Sequence, residues 1–246
     1  MARFRLGILQ VNHDRSREIG DRFPDDSHRF RDLLDKLTMR FDYRVYMTIG
    51  GELPASVDEQ DGYLITGSPL SVLDDSLFWR GDLMDFIRRC DQAKKPLVGA
   101  CFGHQAIALA LGGRVAKRSG GYNVGIESTR FGVTRHFMHD EKPSMSFYMF
   151  HEDEVVELPD DLELIGSSGG CRIAAFAKGD HILAVQAHPE FHDGFMRAVL
   201  DFTRPGMPQD RHDAAAASLD IPTDGALFAE WMAAFLTGRQ HHEVAS

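Results

Sequence analysis

The sequence predicts an α/β fold. Short β-type runs each lead into a segment whose apolar residues recur at helical spacing, the alternation that builds a parallel sheet covered by helices. One such run, Leu97-Val98-Gly99-Ala100, passes straight into Cys101 and a helical pattern beyond it, so a cysteine sits at a strand-to-helix turn. With 246 residues and 43% hydrophobic content the chain can bury one large core or two modest ones, and one domain is the starting expectation.

The elements follow in order. Phe4 to Val11 reads as a buried strand, and Phe30, Leu33, Leu34 and Leu37 share a helical face, with Ser27 placed to cap its start. Tyr43 to Met47 and Gly62 to Thr66 read as the next strands, and Phe78, Leu83, Phe86, Ile87 and Cys90 line a helix ending near Lys94-Lys95. After Cys101, Ala106, Ile107, Leu109, Ala110 and Leu111 form a helix closed by Gly112-Gly113. From about Arg114 to Gln186 short strands and Gly-rich turns suggest an antiparallel meander, ending in the strand Ile182 to Gln186. Helices are expected at Asp193 to Phe202 and Ala226 to Leu236, joined by a polar, Pro-containing linker from Arg204 to Thr223. The domain division expected is therefore 1–203, then 204–246 as a linker and a C-terminal helix packed on the same domain, with a frayed tail from Gly238.

The bulk properties exclude several functions. A net charge of −10, from 37 acids against 27 bases, provides no basic stripe for phosphates, so nucleic acid is not an expected partner. No stretch approaches the roughly 18 apolar residues of a membrane span, and no export signal is seen. Cys90, Cys101 and Cys171 form neither a disulfide framework nor a CxxC-type zinc site, which points to a reducing cytoplasm and to no metal or cofactor.

Cys101 lies between glycines at i−2 and i+2, the logic of the nucleophile elbow, at the start of a helix whose dipole favours thiolate. A thiol nucleophile needs a base. His188 in Ala187-His188-Pro189-Glu190 follows a strand and has a carboxylate two residues on, able to fix its tautomer. His151, flanked by Glu152 and Asp153, is a rival, and spacing does not choose between them.

Four separated motifs carry a resemblance. Asp61-Gly62-Tyr63-Leu64-Ile65-Thr66-Gly67-Ser68-Pro69, Gly99-Ala100-Cys101-Phe102-Gly103-His104-Gln105 with Leu111-Gly112-Gly113, His151-Glu152-Asp153-Glu154-Val155, and Gln186-Ala187-His188-Pro189-Glu190-Phe191 resemble the class I, or triad, glutamine amidotransferases. Within that family the chain resembles small stand-alone proteins similar to the amidotransferase domain of GMP synthase, a group that includes γ-glutamyl peptidases.

The resemblance implies a three-layer fold, a mostly parallel central sheet flanked by helices with a small antiparallel extension. It implies Cys101 as nucleophile, His188 as general base then acid, and Glu190 as the group orienting His188. Gly67 or Ser68, with Phe102, would supply oxyanion-hole N–H groups; Gln105, His151, Glu152 and Asp153 would border the substrate. Ser68 stands where GMP synthase-type relatives have a second glycine, which questions the local backbone conformation.

The activity expected is hydrolysis of the glutamine side-chain amide through a γ-glutamyl thioester, releasing ammonia and glutamate, and the partner to look for is a separate synthase or ammonia-accepting protein. A γ-glutamyl peptidase or conjugate hydrolase needs the same residues and is the alternative. A non-catalytic binding module is a third reading, disfavoured because nucleophile, base and acid are all present.

Overall fold

The computed structural model describes residues 3–138 and 142–239; the end of the tail expected to fray lies outside them. Nine strands form one sheet. Its parallel part comprises β1 (Phe4–Leu9), β2 (Phe41–Tyr46), β3 (Gly62–Ile65), β4 (Leu97–Ala100) and β11 (Ile182–Val185), in the order β2-β1-β3-β4-β11. Beyond β11 the sheet continues antiparallel through β10 (Ala175–Lys178), β9 (Glu163–Ser167), β6 (Asn123–Phe131) and β7 (Ser144–His151). A separate two-stranded antiparallel sheet pairs β5 (Arg114–Lys117) with β8 (Asp153–Glu157).

Alternation along the parallel strands sends successive side chains to opposite faces, and each face buries its own core. Leu6, Ile8, Leu64, Val98, Leu183 and Val185 pack with Phe30 and Leu34 of α1 (Asp26–Leu34) and with Phe228, Trp231 and Phe235 of α6 (Gly225–Thr237). Leu9, Tyr63, Ile65, Leu97, Ile182 and Ala184 face the opposite way, against Leu83, Phe86 and Ile87 of α2 (Arg80–Gln92) and Phe102 and Ile107 of α3 (Phe102–Ala110). This is the three-layer α/β arrangement expected. A third cluster joins Ile126 and Tyr148 to Met196 and Leu200 of α4 (Asp193–Thr203) and Ala215 of α5 (Gln209–Ser218).

Three local readings change. Asp25, not Ser27, caps α1: its carboxylate accepts from the His28 N–H at 3.1 Å, while the Ser27 hydroxyl donates to the same carboxylate. Phe78 precedes α2 and is 74% exposed, so it belongs to no buried helical face. The segment read as a linker contains α5, whose weakly patterned sequence hides its packing on β6; the Ser218 hydroxyl accepts from the Ile126 N–H at 2.8 Å.

Candidate active site

The carboxyl ends of β4 and β11 lie side by side, Ala100 opposite Val185, so the residues that follow each strand emerge at one edge. Cys101 follows β4 and His188 follows β11 by three residues. Cys101 holds φ +49° and ψ −103°, one of two non-glycine residues with positive φ among those described. Such a conformation is costly for a side chain bearing Cβ and marks a turn over-determined by its surroundings. The flanking glycines serve another purpose: a Cβ at Gly99 would lie 2.6 Å from the Gly103 carbonyl carbon, and one at Gly103 would lie 2.5 Å from the Ile65 oxygen. Glycine thus permits close packing of strand, turn and helix, while the cysteine itself takes the unfavourable torsion.

α3 starts at the next residue, so the sulfur sits at a helix amino terminus, and Cys101 is only 3% exposed. His188 is held by its backbone, whose N–H donates to the Tyr148 carbonyl at 2.9 Å. Its Nδ1 meets Glu190 Oε1 at 2.8 Å, both groups being buried. Gly67, after β3, stands between the two centres: a Cβ there would lie 2.8 Å from His188 Cε1 and 3.5 Å from Cys101 Cβ. Burial pulls the imidazolium down, but the charges of Cys101 and Glu190 outweigh it and hold His188 well above the ordinary imidazole range.

His151 is equally buried but differently bound. Nδ1 donates to the Asp153 carbonyl at 2.9 Å and Nε2 accepts from the Asn123 amide at 3.2 Å. Burial pushes its pKa down to about 3, so this ring stays neutral. Both ring nitrogens are occupied by protein groups. Its flanking carboxylates are engaged elsewhere: Glu152 pairs with Lys117 at 3.0 Å, and Asp153 accepts from the Ser71 hydroxyl at 2.5 Å. Gln105, one helical turn beyond Cys101, donates to the Asp153 carbonyl at 2.8 Å and to Gln186 Oε1 at 3.2 Å. Ser68 keeps a negative φ and turns its hydroxyl to accept from the Leu70 N–H at 3.2 Å. The doubt raised by its side chain therefore concerns no left-handed backbone.

Cys101, His188, Ser68, Gln105, His151, Glu152 and Asp153 all line one cavity of about 420 Å³. Glu190 lies behind His188, and Phe102 begins the helix beneath, where a first-turn N–H has no intrahelical acceptor. Several lining groups escaped the sequence reading. Asp26 is 4% exposed, accepts from Asn12 at 2.9 Å and pairs with the equally buried Arg29. Burial, reinforced by the charge of Glu190, pushes the Asp26 carboxyl up despite Arg29. Arg29 lies 3.9 Å over the Phe195 ring. The one available signal was the pair of acids opening α1 just beyond the carboxyl end of β1.

Comparison with known proteins agrees with this architecture. The family described as glutamine amidotransferase class-I matches residues 34–201, more than half the chain. Gamma-glutamyl peptidase 3 of Arabidopsis thaliana is 32% identical over 165 residues, 64% of this chain and 66% of that protein, so the match spans just under two thirds of that relative's length. A glutamine-hydrolyzing GMP synthase subunit from Methanothermobacter thermautotrophicus is 31% identical over 135 residues, 54% of this chain and 67% of that one. Among solved structures, a glutamine amido transferase from Methylobacillus flagellatus superposes with a TM-score of 0.74 at 20% identity, covering 97% of this chain and 96% of that one. That likeness is one of fold. The chain belongs to the class I glutamine amidotransferase family, whose members are enzymes.

Proposed function

We propose that the chain hydrolyses a γ-glutamyl amide bond through a thioester on Cys101. The observation that carries this is the convergence of a torsionally constrained cysteine at a helix amino terminus with a His188–Glu190 pair across Gly67. Cys101 sulfur attacks the γ-carbonyl carbon; the oxyanion is held by the N–H of Phe102 and one from Gly67 or Ser68. His188 protonates the departing nitrogen, Glu190 holds the imidazolium in orientation, and the C–N bond breaks. Water, deprotonated by His188, then attacks the thioester and releases glutamate. Gln105, His151, Glu152 and Asp153 border the amino-acid end of the substrate. In this role Gln105 acts through its grip on the Asp153 carbonyl.

With glutamine the departing group is ammonia, and the name of the Methanothermobacter relative, one subunit of a synthase, speaks for a separate protein that accepts it. With a γ-glutamyl peptide or conjugate it is a larger amine, and the name of the Arabidopsis relative together with the cavity size favours this second reading. Residues 204–246 are taken as part of the same folding unit as 1–203, because α6 completes the core beneath α1. Three unbridged cysteines support a reducing, cytoplasmic setting.

The test is covalent labelling by a glutamine-like diazo- or chloroketone followed by a release assay on glutamine and γ-glutamyl amides. Modification at Cys101 with turnover lost in Cys101→Ala is expected. Labelling confined to Cys90 or Cys171 would reject the mechanism.

A further inference from the structure

The proposed chemistry determines which side of Cys101 the departing amine occupies, because His188 must reach its nitrogen. Resting on that reading, we propose that this side is a subsite for an apolar or aromatic amine: the substrate is a γ-glutamyl amide whose nitrogen carries a hydrophobic body without a free carboxylate.

The wall beside His188 is a row of rings. Phe191 stacks on His188 at 3.9 Å and 16°, Phe195 meets Phe191 edge-on at 4.6 Å, and Phe23 meets Phe195 at 5.3 Å. Ile19, Val199 and Phe202 extend the apolar lining, and Phe202, in the last turn of α4, is 45% exposed. An exposed phenylalanine in a cavity wall carries a hydration cost that a hydrophobic ligand would relieve. Ammonia would leave all of this surface wet.

The opposite side holds a network of Ser71–Asp153, Lys117–Glu152 and Gln105–Asp153 contacts beside the Tyr122–Phe150 ring pair, and that network suits the charged amino-acid end of a γ-glutamyl group. Charge on the ring side also discriminates. Asp14 and Asp25 line it, Arg29 is ion-paired with Asp26 beneath Phe195, and Lys117 lies across the cavity with Glu152. A carboxylate on the departing amine, as in a γ-glutamyl peptide, would face Asp14 and Asp25, with Arg22 set back over the outer face of the Phe23 row. The reaction balances as plain hydrolysis: the C–N bond breaks, the amine leaves with the proton from His188, and water cleaves the C–S bond to give glutamate.

The experiment compares kcat/KM of the full chain on γ-L-glutamyl amides of phenethylamine, methylamine, phenylalanine and putrescine, with glutamine alongside. Phenethylamine and methylamine are alkylamines of similar basicity, so their ratio reads binding of the phenyl body. The phenethylamide is expected to exceed the methylamide by about tenfold or more and to exceed γ-glutamylphenylalanine as well. Phe202→Asp and Val199→Asp, both at positions outside the fully buried core, should each cut the phenethyl-to-methyl ratio by about tenfold. Equal rates on the two alkylamides, preference for γ-glutamylphenylalanine or γ-glutamylputrescine, or a ratio unmoved in both variants would overturn the subsite. Turnover of glutamine and methylamide without apolar preference would remove the subsite alone. No turnover of any compound, with Cys101 unlabelled, would remove the hydrolase reading and the subsite together.

Discussion

The two histidine corners of the cavity differ in a way that burial does not explain. His151 and His188 are 4% and 5% exposed, His151 ends β7 while His188 follows β11, and each has a carboxylate within two residues. Yet His151 is held neutral, its nitrogens engaged by a backbone carbonyl and an amide, while His188 is held toward its charged form by Cys101 and Glu190. An imidazole becomes a proton carrier when its partners are anions, and a wall when they are dipoles. The neighbouring rings follow the same division: His188 leads into aromatic surface, His151 into a polar network.

The largest break of this contrast is at Cys101. Cys101→Ala should lower turnover of any γ-glutamyl substrate by about 10⁴–10⁶, as loss of a nucleophile does in other triads. It should also relax His188 toward the ordinary imidazole range, read as a downward shift of its titration by NMR, because the sulfur's charge is a main cause of the raised value. Activity equal to the parent would sink the mechanism. Glu190→Gln comes next, with a loss of about 10²–10⁴ in kcat and an intact fold, since the amide retains the shape but not the charge that holds His188.

His151→Asn sharpens the other corner and should cost activity far less. Its signature lies in stability. A histidine whose folded pKa is about 3, against an ordinary 6.5, binds its proton only in the unfolded chain between those values. It therefore removes stability as pH falls from about 6.5, with a slope of about 1.4 kcal/mol per pH unit for one proton. His151→Asn should make the acid limb of a denaturation series shallower by up to one proton; buried His104, also near 3, keeps a second proton's worth of slope. An unchanged slope would show that His151 is not a neutral wall. His188 has the opposite sign: its contribution is held below about 6.5 and is lost as pH rises through its raised value. The smallest effect is expected for Ser71→Ala, which removes one hydrogen bond to Asp153 and should raise KM by no more than about fivefold, the worth of about 1 kcal/mol.

Much of this was legible along the chain because the interactions are local. The Cys101 turn spans five residues of one motif, Gly99 to Gly103, and the His188–Glu190 pair is separated by one residue, so both appear as short patterns. The cap of α1 and the helix inside the expected linker were misread because Asp25 and Ser27 are both good caps and α5 lacks a clear apolar stripe. Residues that act across the cavity left weaker marks. Asp26 and Arg29 belong to no motif, and nothing near Phe23 in sequence hints at Phe195.

By itself, then, the sequence determined the α/β alternation, the strand-end placement of Cys101 and His188, and the family. The resemblance named His188 as the partner of the thiol, and the tertiary structure supplies the physical route, pairing β4 with β11 so that the ends of both strands open on one edge. It also lined the His188 side of the cavity with rings by laying α4 and residues 19–24 beside it. The reason is range: torsions, caps and i, i+2 pairs are encoded within a few residues, whereas the charge and polarity around a buried group are summed over every element that packs against it.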